Sequence, residues 1–246
     1  MQKPTVMIAE DHTMIADAFR KLLEPYYDVV GTVSDGLALL DKAIELKPEV
    51  IIADIGMPLL NGLAAGQRIK KKIPKTKIVF VTMNEDGDLA SEALRSGASA
   101  YLLKSSAGAE LLEAVHETLR GRKYVTPLIR RAIQEAFIRS PTPKAATKKL
   151  TIRQIEVLQL LAEGHLMKEA AAILGLKPRT VAFHKYRIME TLGIHSNAEL
   201  IRFAVENACC HPQRDPSAMT IADAGGKPAL VKGSGKEANS QKRMCS

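Results

Sequence analysis

Tryptophan is absent, and aromatic residues make up only 4% of the 246-residue chain, five tyrosines and five phenylalanines. With so few rings, any that sits off the core calls for a reason. Cysteine is scarce as well. Cys209, Cys210 and Cys245 come too late in the chain, and are too few, to staple a fold. The run Cys209-Cys210-His211 lacks both the spacing and the number of ligands that a metal site uses, so it reads as a helix end entering a loose tail. No apolar stretch approaches the roughly 20 residues that cross a bilayer. The opening MQKPTVMIAED has no signal-peptide core and no cleavage site. The expectation is a cytoplasmic protein with no membrane partner.

What is present is uneven. The net charge is +8, yet residues 1–125 hold 16 basic against 17 acidic side chains. The excess lies behind them: 4 against 1 in 126–147, 9 against 6 in 148–206, and 6 against 3 in 207–246. A near-neutral front and a basic back point to a polyanion as partner of the back half, although solvated lysines alone give the same count.

Short Val- and Ile-rich runs at Val6–Ala9, Val29–Val33, Val50–Ala53, Ile78–Val81 and Ala100–Leu103 lack alternation, as strands covered on both faces do. Helical patterns separate them, ended by Pro25, Pro48, Pro74, Gly97 and Gly121. Five such βα units predict an α/β doubly wound, flavodoxin-like sheet in the order 2-1-3-4-5 over residues 1–125. Tyr124 to Ile138 is expected to hold a further helix after Pro127, and 140–149 a proline-punctuated linker, so that 126–148 connect two domains. From 149 to 208 the pattern is all helical. Thr151 with Gln154 and Ser196 with Glu199 read as capping boxes. Residues 209–246, rich in Gly, Ser, Pro and Lys, read as a disordered tail.

Ligands of an open parallel sheet bind beyond the carboxyl ends of its strands. Those ends carry Glu10 and Asp11, then Asp54, Thr82 and Lys104. Crowded carboxylates repel unless a cation joins them, and hard oxygens in a small crevice suit Mg²⁺. A hydroxyl and a lysine opposite suit phosphoryl oxygens. Acids at strand ends are common, but five fitting residue types at four ends are not.

VMIAEDH, IIADIGMPLLNG, VFVTMNED and SGASAYLLKSS together resemble the receiver domain of two-component response regulators, in register over residues 5–125. The resemblance implies that Asp54 accepts a phosphoryl group from a sensor histidine kinase. It also implies that Glu10, Asp11, Asp54 and the Gly56 backbone carbonyl hold Mg²⁺, that Lys104 pairs with the phosphoryl group, and that Thr82 and Tyr101 move in response. Asn84 falls where the family tunes hydrolysis. No turnover of an external metabolite is implied.

RTVAFHKYRIME, over 179–190, poses a separate question. On a helix, Val181, Ile188 and Leu192 share one face, which leaves Phe183 and Tyr186 outside with Arg179 and Arg187. Residues 149–206 resemble the LuxR-type helix-turn-helix, and the whole chain a NarL/FixJ-class regulator. Its second helix, Pro178–Leu192, then enters the major groove of double-stranded DNA. The family's docking puts Ala182, Phe183 and Tyr186 at base edges, and Arg179, Thr180, Lys185 and Arg187 at phosphates. Lys177 offers a cation near phosphate, and His184 lies nearer the core. Leu166 and Met167 stand where the family often has Ser/Thr and Asn. The last helix, with Leu200, Ile201 and Val205, would pair two copies on DNA as a homodimer. Three rivals stay open: Phe183 and Tyr186 pack on the linker or receiver, the acidic crevice serves a phosphotransferase or phosphatase, or the receiver is an interaction module that is never phosphorylated.

Overall fold

The computed structural model describes residues 2–138 and 150–206, all within one compact unit, Met1–Gln213. The expected linker over 140–149, the cysteine cluster and the expected tail lie outside the described residues. Strands β1 (Thr5–Ala9), β2 (Asp28–Val33), β3 (Val50–Ala53), β4 (Lys77–Thr82) and β5 (Ala100–Leu103) alternate with helices α1 (Thr13–Leu23), α2 (Gly36–Leu46), α3 (Gly62–Lys72), α4 (Gly87–Arg95) and α5 (Ala107–Leu119). Every pairing is parallel, in the order β2-β1-β3-β4-β5-β6.

The sixth strand corrects the sequence reading. Tyr124–Val125 forms β6 beside Ala100 and Tyr101 of β5, where no strand was expected, and helix α6 runs over Pro127–Ile138, beginning at the proline. Proline's fixed φ and missing N–H suit a first helical position and not an interior one, so Pro127 sets the helix start. Side chains of successive strand residues go to opposite faces. Met7, Ile51, Phe80 and Tyr101 join α2, α3 and α4 in one core. Val6, Ile8, Ile52, Val79 and Leu102 join α1 and α5 in the other. Helix α6 lies on α4, and the approach is close: a Cβ on Gly87 would sit 2.4 Å from the Ala132 carbonyl.

The helical part holds α7 (Ile152–Ala162), α8 (Met167–Leu174), α9 (Pro178–Leu192) and α10 (Asn197–Glu206) around Val157, Leu158, Leu160, Ala170, Leu174, Val181, Ile188, Leu200 and Ala204. The Thr151 capping box is complete: Gln154 N–H donates to Thr151 Oγ1 at 3.2 Å, and Thr151 N–H donates to Gln154 Oε1 at 2.7 Å. The second box is half formed. Ser196 Oγ accepts from Glu199 N–H, but the Glu199 carboxylate accepts from His195 N–H instead of Ser196. Gly175 takes a left-handed φ of 64°, which turns the chain from α8 into α9.

Candidate functional site

The carboxyl ends of β1, β3, β4 and β5 bring together the residues read from the sequence. Glu10, Asp54 and Thr82 are buried. Lys104 Nζ reaches in from the end of β5 and donates to Asp54 Oδ2 and Glu10 Oε1, both at 2.8 Å. The other oxygen of Asp54, Oδ1, accepts from Gly56 N–H at 3.1 Å. The amide of Gly56, a residue expected from the sequence to offer its carbonyl to Mg²⁺, therefore holds this carboxylate. Burial raises the Glu10 pKa, the Asp54 charge adds to the rise, and the Lys104 hydrogen bond works against it. Burial alone would lower the Lys104 pKa, but the Asp54 and Glu10 carboxylates outweigh it and hold the ammonium above the usual lysine value.

The Lys104 ammonium is shared between two buried acids, Glu10 and Asp54. Glu10 Oε2 is buried without a directed hydrogen bond, although Lys104 Nζ lies 2.8 Å away. Ligand atoms of Glu10, Asp11 and His12 lie within 4.8 Å of one another. The hard carboxylate oxygens of Glu10, Asp11 and Asp54 suit Mg²⁺, and the His12 imidazole stands beside them. His12 was not singled out from the sequence. Its Nδ1 sits 3.0 Å from Glu10 Oε1 and 2.9 Å from Asp11 Oδ1, and its N–H donates to Glu10 at 3.1 Å.

Thr82 and Tyr101 meet through Asn84. Asn84 N–H donates to Thr82 Oγ1 at 3.1 Å, and the Tyr101 hydroxyl donates to Asn84 O at 3.1 Å. Asn84 Oδ1 in turn accepts from Asp86 N–H at 2.7 Å, and Asp86 caps α4. Tyr101 already points inward and is fully buried. Burial first, then the charges of Asp86 and Asp54, drive its phenol pKa far up. Gly62 was also missed. A Cβ there would lie 2.0 Å from the Asp54 carbonyl oxygen, so α3 starts against the backbone of Asp54 only because Gly62 has no side chain.

On α9 the sequence periodicity holds. Val181 and Ile188 are buried, while Phe183 and Tyr186 are 60% and 69% exposed. Lys177, Arg179 and Arg187 are exposed; Thr180, Ala182, His184 and Lys185 are half-buried. Arg187 is tied to Glu190 at 2.7 Å. The Phe183 and His184 rings meet edge to face at 5.8 Å. Lys177 occupies the N-cap without a side-chain hydrogen bond. Neither aromatic is covered by the sheet-bearing part of the chain.

A different helix meets that part. Gln159 Nε2 of α7 donates to Met57 O at 2.7 Å. Leu59 N–H donates to Glu163 Oε2 at 3.2 Å. Arg68 of α3 donates to Glu156 at 2.7 Å, and Glu156 is buried and also held by Arg153. Arg153 reaches on to Leu174 O at the end of α8, at 2.7 Å. Leu59 has a φ of 65°, rare for a residue with a Cβ. Met57 and Leu59 lie in the loop that leaves Asp54, so α7 grips the loop that carries the acid.

A buried aspartate paired with lysine thus stands at the head of a parallel sheet, and a helix-turn-helix follows it in the chain. The response regulator receiver domain family matches residues 6–116, and the bacterial regulatory proteins of the luxR family match residues 148–204. The oxygen regulatory protein NreC of Staphylococcus aureus is 34% identical over 209 residues, covering 82% of this chain and 96% of that protein. Among solved structures, the RcsB response regulator of Salmonella typhimurium is 27% identical with a TM-score of 0.63, covering 84% of this chain and 99% of that one. An RcsB–DNA complex is 27% identical with a TM-score of 0.53, over 84% of this chain and 99% of that one. The chain belongs to the response regulators that join a receiver domain to a LuxR-type DNA-binding domain.

Proposed function

We propose that this regulator is switched by phosphorylation of Asp54. The observation that carries the reading is the Asp54 carboxylate, buried with one oxygen on the Gly56 amide and the other on Lys104. A carboxylate so fixed can attack phosphorus in line. A new P–O bond forms on Asp54, the P–N bond to a sensor kinase histidine breaks, and the imidazole leaves with the electron pair. Glu10, Asp11, Asp54 and the Gly56 carbonyl would hold Mg²⁺, which supplies charge neutralisation between the two anions. Lys104 is placed to follow the phosphoryl oxygens, and Thr82 Oγ1 to hydrogen-bond them. The link through Asn84 then passes the change to Tyr101 and to the start of α4.

The output is transcription regulation through α9 in the major groove, with Phe183 and Tyr186 at base edges. Lys177, Arg179, Thr180, Lys185 and Arg187 serve phosphates. Two copies act together. RcsB is known as dimers bound to DNA, and α10 here leaves Ile201 and Val205 exposed beside a buried Leu200. Because α9 is already uncovered, phosphorylation works by loosening the grip of α7 on the loop after Asp54, and not by unmasking the aromatics.

Acetyl phosphate with Mg²⁺ tests the switch. Intact mass should rise by one phosphoryl group in the native chain and stay unchanged in Asp54→Asn. Labelling of that variant at another residue would sink the assignment of Asp54. An unlabelled native chain that still bound DNA would favour a receiver acting only as an interaction module.

A further inference from the structure

The helix-turn-helix bears more exposed apolar surface than α9 alone provides. At the start of α8, Leu166 is 68% exposed and Met167 is 41% exposed. The core does not use them: α8 packs inward through Ala170, Ala171 and Leu174. Leu166 does not help the helix as a cap either. It has no oxygen for the first amides of α8, and the one reciprocal bond comes from the other side, where Glu169 accepts from Leu166 N–H at 2.9 Å. In a helix-turn-helix the first helix crosses the DNA backbone while the second lies in the groove. A polar residue at the start of α8 would donate to a phosphate; leucine and methionine cannot.

DNA nevertheless offers apolar ground at the groove edge. The C5 methyl of thymine is the one apolar group in the major-groove pattern. Phe183 and Tyr186 already present rings to that groove. Lys168, Lys177 and Arg179 are exposed around the α8 and α9 starts, a charge that suits a nucleic acid and opposes a basic protein partner.

We propose that Leu166 and Met167 belong to the DNA-reading surface, and that they select thymine by contact with its methyl group just outside the stretch read by Phe183 and Tyr186. The inference rests on the reading of α9 as the groove-binding helix. It makes the start of α8, where backbone contacts would otherwise dominate, a second zone of sequence preference.

The test begins with DNA selected from a random pool by the full chain. Each thymine of the selected site is then replaced by deoxyuridine, which removes the methyl and keeps every hydrogen-bonding group. Two clusters of sensitive thymines are expected, each replacement weakening binding about fourfold, the equivalent of one buried methyl group. Phe183→Ala should abolish the inner cluster only. The exposed double variant Leu166→Ser/Met167→Asn should abolish the outer cluster only, whatever the new polar groups do to overall affinity. The inference is overturned if native protein shows no outer cluster, or if the double variant keeps it. The reading of α9 fails separately, if no sequence is enriched or if Phe183→Ala and Tyr186→Ala leave the inner cluster intact.

Discussion

Single residues decide whether Asp54 stands in the right place. Gly62 is the strictest of them. Adding a methyl 2.0 Å from the Asp54 carbonyl must push α3 or the strand end aside. Overpacking of this kind costs roughly 1–3 kcal/mol, so Gly62→Ala should lower the melting temperature and slow labelling by acetyl phosphate. Lys104→Met should remove the ammonium that Asp54 and Glu10 share. That variant should bind Mg²⁺ more tightly, read as a leftward shift of the metal titration, while labelling at saturating Mg²⁺ slows because no ammonium is left to pair with the phosphoryl group. Much of this site was legible beforehand, because Glu10, Asp11, Asp54, Thr82 and Lys104 each end a strand, and strand ends can be read from apolar runs. Gly62 and Asn84 were not legible in these roles. A close backbone approach and a bridging amide depend on how loops fold in space, and a loop carries no period.

At the scale of elements, the strands and α9 were readable because their patterns are long or dense in Val and Ile. β6 was not. Two residues just ahead of Thr126-Pro127 are too few to show alternation. The structure shows what Tyr124 does: its hydroxyl donates to Glu110 at 3.2 Å, and Thr126 donates to the same oxygen at 2.8 Å. Burial, then Glu110, pushes the Tyr124 phenol pKa up to about 12 from an ordinary 10.0. A group whose pKa is raised on folding keeps its proton longer in the native state. Its stabilising share is full below pH 10.0 and is lost as pH rises towards about 12. Phenolate absorbance should therefore show Tyr124 titrating late, alongside the buried Tyr101 and Tyr27, and Tyr124→Phe should remove its share of that late rise. The stability of Tyr124→Phe should fall less over that interval than that of the native chain. In the helical part, Ile188 is fully buried under α9, and Ile188→Ala should cost about 2–5 kcal/mol, seen as a lower unfolding midpoint.

For the whole molecule, the basic back half should govern how binding responds to salt. Each phosphate contact contributes a slope of roughly −0.9 to the plot of log affinity against log salt. Lys177→Ala with Arg179→Ala should thus flatten that slope by about 2 if both meet phosphate. Arg68→Ala with Gln159→Ala should free α7 from the loop after Asp54, and should raise DNA affinity without a phosphodonor. No sequence pattern foretold that seam: Glu156 reads as the family's fixed acid organising its own domain, and Gln159 as an ordinary position on an amphipathic helix. The contacts of Gln159 with Met57, of Glu163 with Leu59 and of Glu156 with Arg68 reveal it. The same seam bears on modular exchange. Glu156 is a buried acid that draws one of its two guanidinium partners from the other half of the protein. A receiver transplanted from a relative with no cation at position 68 would strand that acid with a single neighbour. Hybrids made by swapping halves should therefore assemble cleanly only when donor and recipient match at the seam.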